Sequence, residues 1–430
     1  MALSVELQSL PFEPADAKGA LVQLPSGPAV FALYGAEARD EPYIGRTPNL
    51  RVRLEKLLQP SARHPRRLQL AGRVRRIAWR LTGSEFESLL AQFALLEEIY
   101  GTRVLERMHL RSPAFVRFLG GNPYPRITVT HRLSQREAEW SYGPFASRAA
   151  AERFAEEALK LFLLRRCTDD LEPDPSHPGC VYSEMKMCLA PCYKGCSDER
   201  YAEEADAVER FLATRGENRL VVLRGDRDAA SANLDFENAA ALHAQVQRVE
   251  SVRSLAPELV RPLSQLRAAI LQSSANPDEI AVFAYWNGRL RGPVGFSTLG
   301  MRIQNEQSGS SSLFAHPMAI EPVPETPGPS PGSDGADLAG GKAAKTARGV
   351  LESRMEAVLS ELMRDDDAPS ATVRQGHLAL LKRWYYRPEA RRSGEIFFPD
   401  GEDRWPVKAI IRGVGRVAAK TLAPTTRVAQ

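Results

Sequence analysis

Residues 161–196 read LFLLRRCTDDLEPDPSHPGCVYSEMKMCLAPCYKGC and hold all five cysteines of the 430-residue chain: Cys167, Cys180, Cys188, Cys192 and Cys196. The first four lie 13, 8 and 4 positions apart. Pro173, Pro175, Pro178 and Gly179 break any regular helix or strand across the middle, so the stretch reads as a loop. On either side, Ser147 to Arg165 and Ser197 to Arg215 carry the apolar spacing of helices. Four thiolates on such a loop can hold a tetrahedral zinc ion or a 4Fe-4S cluster, since both accept cysteine sulfur and both would order a proline-rich segment. Sulfur chemistry alone leaves that choice open, although the wide first spacing is unlike the close cysteine pairs of zinc ribbons. Cys196 continues a four-residue spacing and reads as a free thiol.

N-terminal to the loop, residues 28–34 and 41–45 read as two short strands joined by a polar turn, and Asn49 to Leu58 as the helix that follows. A third strand fits Arg75 to Leu81. Ser84 to Tyr100 has helical spacing of large apolar residues, with Ser84 placed to cap it. A proline-broken strand pair falls near 114–130. C-terminal to the loop, helical periodicity runs from Leu220 to Leu255 and breaks at Asn233, Leu234 and Asp235, as in a helical hairpin.

The fold class expected from this order is α+β: a small antiparallel sheet with flanking helices, then a helical region with the cysteine segment and hairpin, a linker, and a small C-terminal, mainly helical region. The boundaries are a first domain at 20–108, a connector with the cysteines at 109–218, the hairpin at 219–254, a mixed region without a legible role at 255–318, a Pro/Gly/Ser-rich flexible linker at 319–348, and the C-terminal region at 349–430. Within the mixed region, Ile280 to Trp286 alternates like a strand and leads into an Asn287-Gly288 turn.

The net charge is only +4, so no strong overall attraction to nucleic acid follows, but residues 46–80 concentrate ten arginines. Such a patch suits a phosphate backbone and equally a solvated helix face. No apolar run reaches the ~20 residues of a membrane span and no signal-peptide pattern opens the chain, which points to a cytoplasmic protein in which structural disulfides are rare.

The hairpin and helix near the N-terminus resemble the GIY-YIG endonucleases, with Tyr43-Ile44-Gly45 as the second signature strand and Asn49, Leu50 and Arg53 at the following positions. The cysteine segment, approached through Gly143-Pro144-Phe145 and Leu161 to Cys167, resembles that of the excinuclease subunit UvrC. Ala229 to Ala240, with Leu234-Asp235-Phe236-Glu237 at its centre, is similar to the UVR motif shared by UvrB and UvrC. The resemblance covers roughly residues 25–253.

Several expectations follow from the resemblance. Tyr43 and Arg53 are the matching catalytic positions, with Arg46, Arg51 and Asn49 as DNA-binding residues. The first signature tyrosine is replaced by Phe31, and the position aligned with the metal-binding glutamate is Gln92. A neutral amide is a feeble ligand for magnesium, so the site is degenerate and cleavage is weak or absent; Mg2+ is needed only if the site is active. Cys167, Cys180, Cys188 and Cys192 hold a 4Fe-4S cluster, with zinc as the alternative. Leu234, Phe236, Leu242 and Val246 form a face for a UvrB-like partner, or the hairpin packs within its own chain. The implied function is nucleotide-excision repair on damaged DNA; the alternative is an active endonuclease that incises near a lesion. A Gly413-Val414-Gly415 run hints at a DNA-backbone hairpin, and Lys382 to Arg387 is a basic, aromatic stretch able to stack on nucleic acid or to end a half-buried helix.

Overall fold

The computed structural model describes residues 6–37, 39–58, 70–134, 136–168, 170–299, 336–364 and 367–422, with backbone alone for 336–348 and 422. Arg63, Arg66 and Arg67 of the arginine-rich stretch lie outside them, as does the expected linker up to residue 335. Three four-stranded sheets, all antiparallel, organise the described residues.

The first sheet is built from β1 (Gln8–Pro11), β2 (Ala29–Tyr34), β3 (Tyr43–Thr47) and β4 (Arg76–Leu81) in the order β1-β4-β2-β3, with α1 (Ala17–Val22), α2 (Leu50–Leu58), α3 (Glu85–Tyr100) and the short α4 (Val104–Arg107) around it. Side chains alternate across a strand, so Ala29, Phe31 and Leu33 face the core that α1 and α2 cover, with Leu50, Leu54 and Leu57. Val30 and Ile44 point the other way, against Ala91 and Leu95 of α3. Burial on both faces explains why β2 is an unbroken apolar run. Ser84 caps α3 by accepting from Glu87 N at 3.1 Å, and Glu87 reaches back to accept from Gly83 N at 2.8 Å.

The second sheet holds β5 (Ala114–Phe118), β6 (Ile127–Thr130), β7 (Ser141–Phe145) and, after the helices α5 (Arg148–Leu159), α6 (Val181–Glu184), α7 (Asp198–Ala213), α8 (Glu217–Ala232) and α9 (Phe236–Ser254), the two-residue β8 (Arg261–Pro262). Its core joins Val116, Tyr142 and Phe154 to Tyr201 and Phe211 of α7 and to the base of the α8–α9 hairpin, Leu220, Leu223, Val246, Val249 and Val252.

The third sheet has the order β11-β10-β9-β12, from β9 (Ala268–Ser273), β10 (Glu279–Trp286), β11 (Arg289–Ser297) and β12 (Glu395–Phe397). The Asn287-Gly288 turn between β10 and β11 has positive φ at both residues, 46° and 79°, as a tight two-residue hairpin requires. Three more helices follow among the described residues: α10 (Ala336–Leu362), α11 (Ala371–Tyr385) and α12 (Val407–Leu422). One sheet face carries Ala269, Leu271, Ile280 and Val282 against Leu351, Met355 and Leu359 of α10 and Ile410, Ile411 and Val414 of α12. From the C-terminal region, α10 and α12 thus pack on the sheet that the mixed region forms with β12. The backbone of 336–348, expected to be linker, is the start of α10.

The chain divides into two compact units, one of residues 1–109, 267–367 and 388–430 and the other of 110–266 and 368–387. Within the first, α3 is enclosed by two sheets: Ala91 and Leu95 meet the first, while Phe86 makes an edge-on contact with Phe283 of β10, ring centroids 5.3 Å apart. Within the second, α11 buries Trp384, and Tyr386 donates its hydroxyl to Pro144 O at 2.9 Å. That places the aromatic residues of 382–387 in packing and hydrogen bonding. Gly413-Val414-Gly415 lies inside α12 and not at a hairpin turn. Gly413 is small because Phe397 crosses there: a Cβ would stand 2.5 Å from its Cζ.

Candidate functional site

On the first sheet, β2 and β3 pair so that Phe31 lies opposite Gly45 and Leu33 opposite Tyr43. Phe31 and Tyr43 are thus diagonal neighbours on one face, ring centroids 6.1 Å apart. Arg53, two residues into the second half-turn of α2, directs Nη2 to the Tyr43 hydroxyl at 3.5 Å. The two matching catalytic positions therefore meet. Phe31 is fully buried and brings no hydroxyl to them.

Gln92 is carried by α3, which covers the Val30 and Ile44 side of the sheet, the face opposite Phe31 and Tyr43. The neighbouring carboxylates have other partners. Glu87 closes the start of α3 and lies 3.6 Å from Arg80; burial raises its pKa despite the Gly83 hydrogen bond and that arginine. Burial likewise raises Glu97, against the pull of Arg289.

The expected DNA-binding residues divide by what they touch. Arg51 gives its guanidinium to Leu24 O, with Nε at 2.9 Å and Nη2 at 2.6 Å, which ties α2 to the end of α1. Asn49 caps α2 by accepting from Val52 N at 3.1 Å. Arg46 stands 3.4 Å from Glu85. Arg53 is exposed.

In the second unit, Cys167, Cys180, Cys188 and Cys192 line one small pocket, together with Arg165, Arg166, Tyr182 and Ala190. Burial pushes the Cys188 thiol up to about 11, and its neighbours Cys167, Cys180 and Cys192 add to the rise. Cys196 feels Asp198 and Arg200 instead and does not line this pocket. Ala190 N donates to Cys188 Sγ at 3.3 Å, made possible by the left-handed turn at Ala190, φ 57°. Arg165 belongs to the Leu161 to Cys167 run, which assigned it no role of its own. It is buried, donates from Nε to Tyr124 O at 2.9 Å, and points Nη1 at Cys167 Sγ, 3.6 Å away. Its sequence signal was its place in that run, two positions before Cys167. Among the described residues, no three His, Cys, Asp or Glu side chains stand as ready ligands of a metal ion.

The α8–α9 hairpin is buried at its base and bare at its tip. Val246 is buried and Leu242 half-buried against the chain's own core, whereas Leu234 and Phe236 are 72% and 66% exposed. Leu234 also adopts φ 60°, a left-handed conformation that costs a residue with Cβ about 1–2 kcal/mol.

Residues 115–211 match the family model described as the UvrC/Cho excinuclease, middle domain. The front half of the chain is similar to proteins of the UvrC family. The UvrABC system protein C of Alcanivorax borkumensis is 30% identical over 238 residues, covering 55% of this chain and 39% of that protein. The proteins of the same name from Shigella dysenteriae, 30% identical over 240 residues, and Pseudomonas aeruginosa, 29% over 243, cover 55% and 56% of the chain and 41% and 40% of their own lengths. The chain thus spans about two fifths of the length of the curated relatives it matches. No solved structure matches it. No helix among the described residues is long and apolar enough to cross a membrane.

Proposed function

We propose that the chain is a UvrC-like protein of nucleotide-excision repair that engages damaged DNA and a UvrB-like partner and cleaves DNA weakly or not at all. The observation that carries this is the hairpin tip. Leu234 is both exposed and left-handed, so neither core packing nor turn preference accounts for a leucine there. With Phe236 beside it, the tip offers two large apolar side chains for a partner to bury. The kinship with UvrC-type proteins makes the corresponding surface of UvrB the partner of choice.

The degenerate site supports the same reading. Phosphodiester hydrolysis by a GIY-YIG enzyme needs a hydroxyl near the water and a carboxylate for the metal, and Phe31 and Gln92 supply neither. Arg53 remains beside Tyr43 to meet phosphates, whereas Arg46, paired with Val30 on the other face of the sheet, is engaged by Glu85 of α3. A second reading, an active structure-specific endonuclease incising near a lesion, is favoured by the retained contact between Arg53 and Tyr43.

Cys167, Cys180, Cys188 and Cys192 fit a 4Fe-4S cluster: four thiols line one pocket, and N–H groups of Ala190 and Arg165 point at two of the sulfurs. Zinc is the alternative occupant of the same donor set. Either group would clamp the proline-rich loop. The test of the function is capture of UvrB by the full chain. Leu234→Asp with Phe236→Asp is expected to abolish it without changing the fold; undiminished capture overturns the reading.

A further inference from the structure

We propose that the outward face of α12 is a track for a nucleic-acid backbone, separate from the surface around Arg53. α12 contains four cations and no acid: Lys408, Arg412, Arg416 and Lys420, spaced every fourth residue. Such spacing places them along one stripe, about 6 Å apart and roughly 18 Å from end to end. The opposite side, Ile410, Ile411, Val414 and Val417, is buried against the third sheet. An apolar face that is already covered leaves no surface to insert into a lipid bilayer, so what α12 presents is charge alone.

The stripe is also largely unneutralised. Arg416 is held by Glu395 of β12, Nε to Oε1 at 2.8 Å and Nη2 to Oε2 at 2.5 Å. Lys408, Arg412 and Lys420 are exposed and make no hydrogen bond or ion pair among the described residues. The acids of the preceding turn are engaged elsewhere: Asp400 and Glu402 with Arg404, and Asp403 with Arg267. Three free cations in line, beside a fourth that is fixed in place, match a polymer that carries a charge at every nucleotide. Most contacts of this kind go to phosphate, so the track would read position and not sequence.

The test is binding of the full chain to a fluorescent 30-base-pair duplex, by anisotropy across a range of salt concentrations. Lys408→Gln, Arg412→Gln and Lys420→Gln together are expected to weaken binding about tenfold or more at low salt and to reduce the slope of log K against log salt by roughly 2.7, about 0.9 for each lost phosphate contact. The same triple change to Glu should weaken it further. Arg53→Ala should leave that decrement intact, which separates this inference from the reading of the front half. An unchanged slope in the Gln variant, no duplex binding by the unaltered chain, or binding to anionic phospholipid vesicles in place of DNA each overturns it.

Discussion

The ring of Phe31 occupies the space that Gly45 leaves open: a Cβ at Gly45 would stand 2.7 Å from Phe31 Cζ, closer than carbon atoms approach. The two residues are directly paired across β2 and β3. Gly45→Ala is therefore expected to destabilise the chain by about 1–3 kcal/mol through overpacking, read from the urea midpoint. Phe31→Tyr places a hydroxyl at a fully buried ring tip and should cost about 1–3 kcal/mol where no partner accepts it. It should not bring cleavage, because the carboxylate at position 92 is still missing.

Arg165 links the cysteine loop to the second sheet's surroundings through Tyr124 O and Cys167 Sγ. Arg165→Met removes both contacts and is expected to lower stability by about 1–3 kcal/mol and to reduce bound metal. Anaerobically purified chain should be brown with about four irons. Cys167→Ser should lower that content and Cys196→Ser should not. A colourless protein with one zinc would reject the cluster and retain the donor set.

Leu234 is strained without any compensating packing of its own. Leu234→Gly is expected to leave the fold as stable or up to about 1 kcal/mol more stable, because glycine adopts the left-handed conformation without penalty. UvrB capture should nevertheless fall. A glycine variant that melts earlier and binds equally well would show that Leu234 serves the hairpin itself.

Glu87 gives a pH dependence with a defined sign. Its folded pKa is raised above the ordinary 4.5, chiefly by burial. Its contribution is fully present below pH 4.5 and is lost as pH rises through the raised value. Glu87→Gln keeps an acceptor for Gly83 N, so the stability of the unaltered chain relative to this variant should decline from pH 4 to pH 7. A difference that stays flat or grows with pH would contradict the burial of an ionised carboxylate here.

Local signals were legible where local physics decides the outcome. Ser84 as a helix cap, the break at Asn233 to Asp235 and the Asn287-Gly288 turn each depend on a few adjacent residues, and the structure places each there. Cys167, Cys180, Cys188 and Cys192, grouped by their spacing, line one pocket. Long-range pairing was not: β12 joins β9 through Glu395↔Leu271, Ile396↔Ile270 and Phe397↔Ala269, three residues with no periodicity to read. Arg51 looked available for phosphate until its bond to the distant Leu24 carbonyl appeared. Gln92 could be aligned by position, but which face of the sheet α3 covers depends on the whole arrangement of Val30, Ile44, Ala91 and Leu95.

Recruitment without efficient incision is tested by incubating the full chain with UvrB-loaded damaged duplex in magnesium or manganese. The expected result is a ternary complex that depends on Leu234 and Phe236, with the duplex left unnicked. Robust nicking that disappears in Arg53→Ala would contradict it and establish the chain as an active endonuclease.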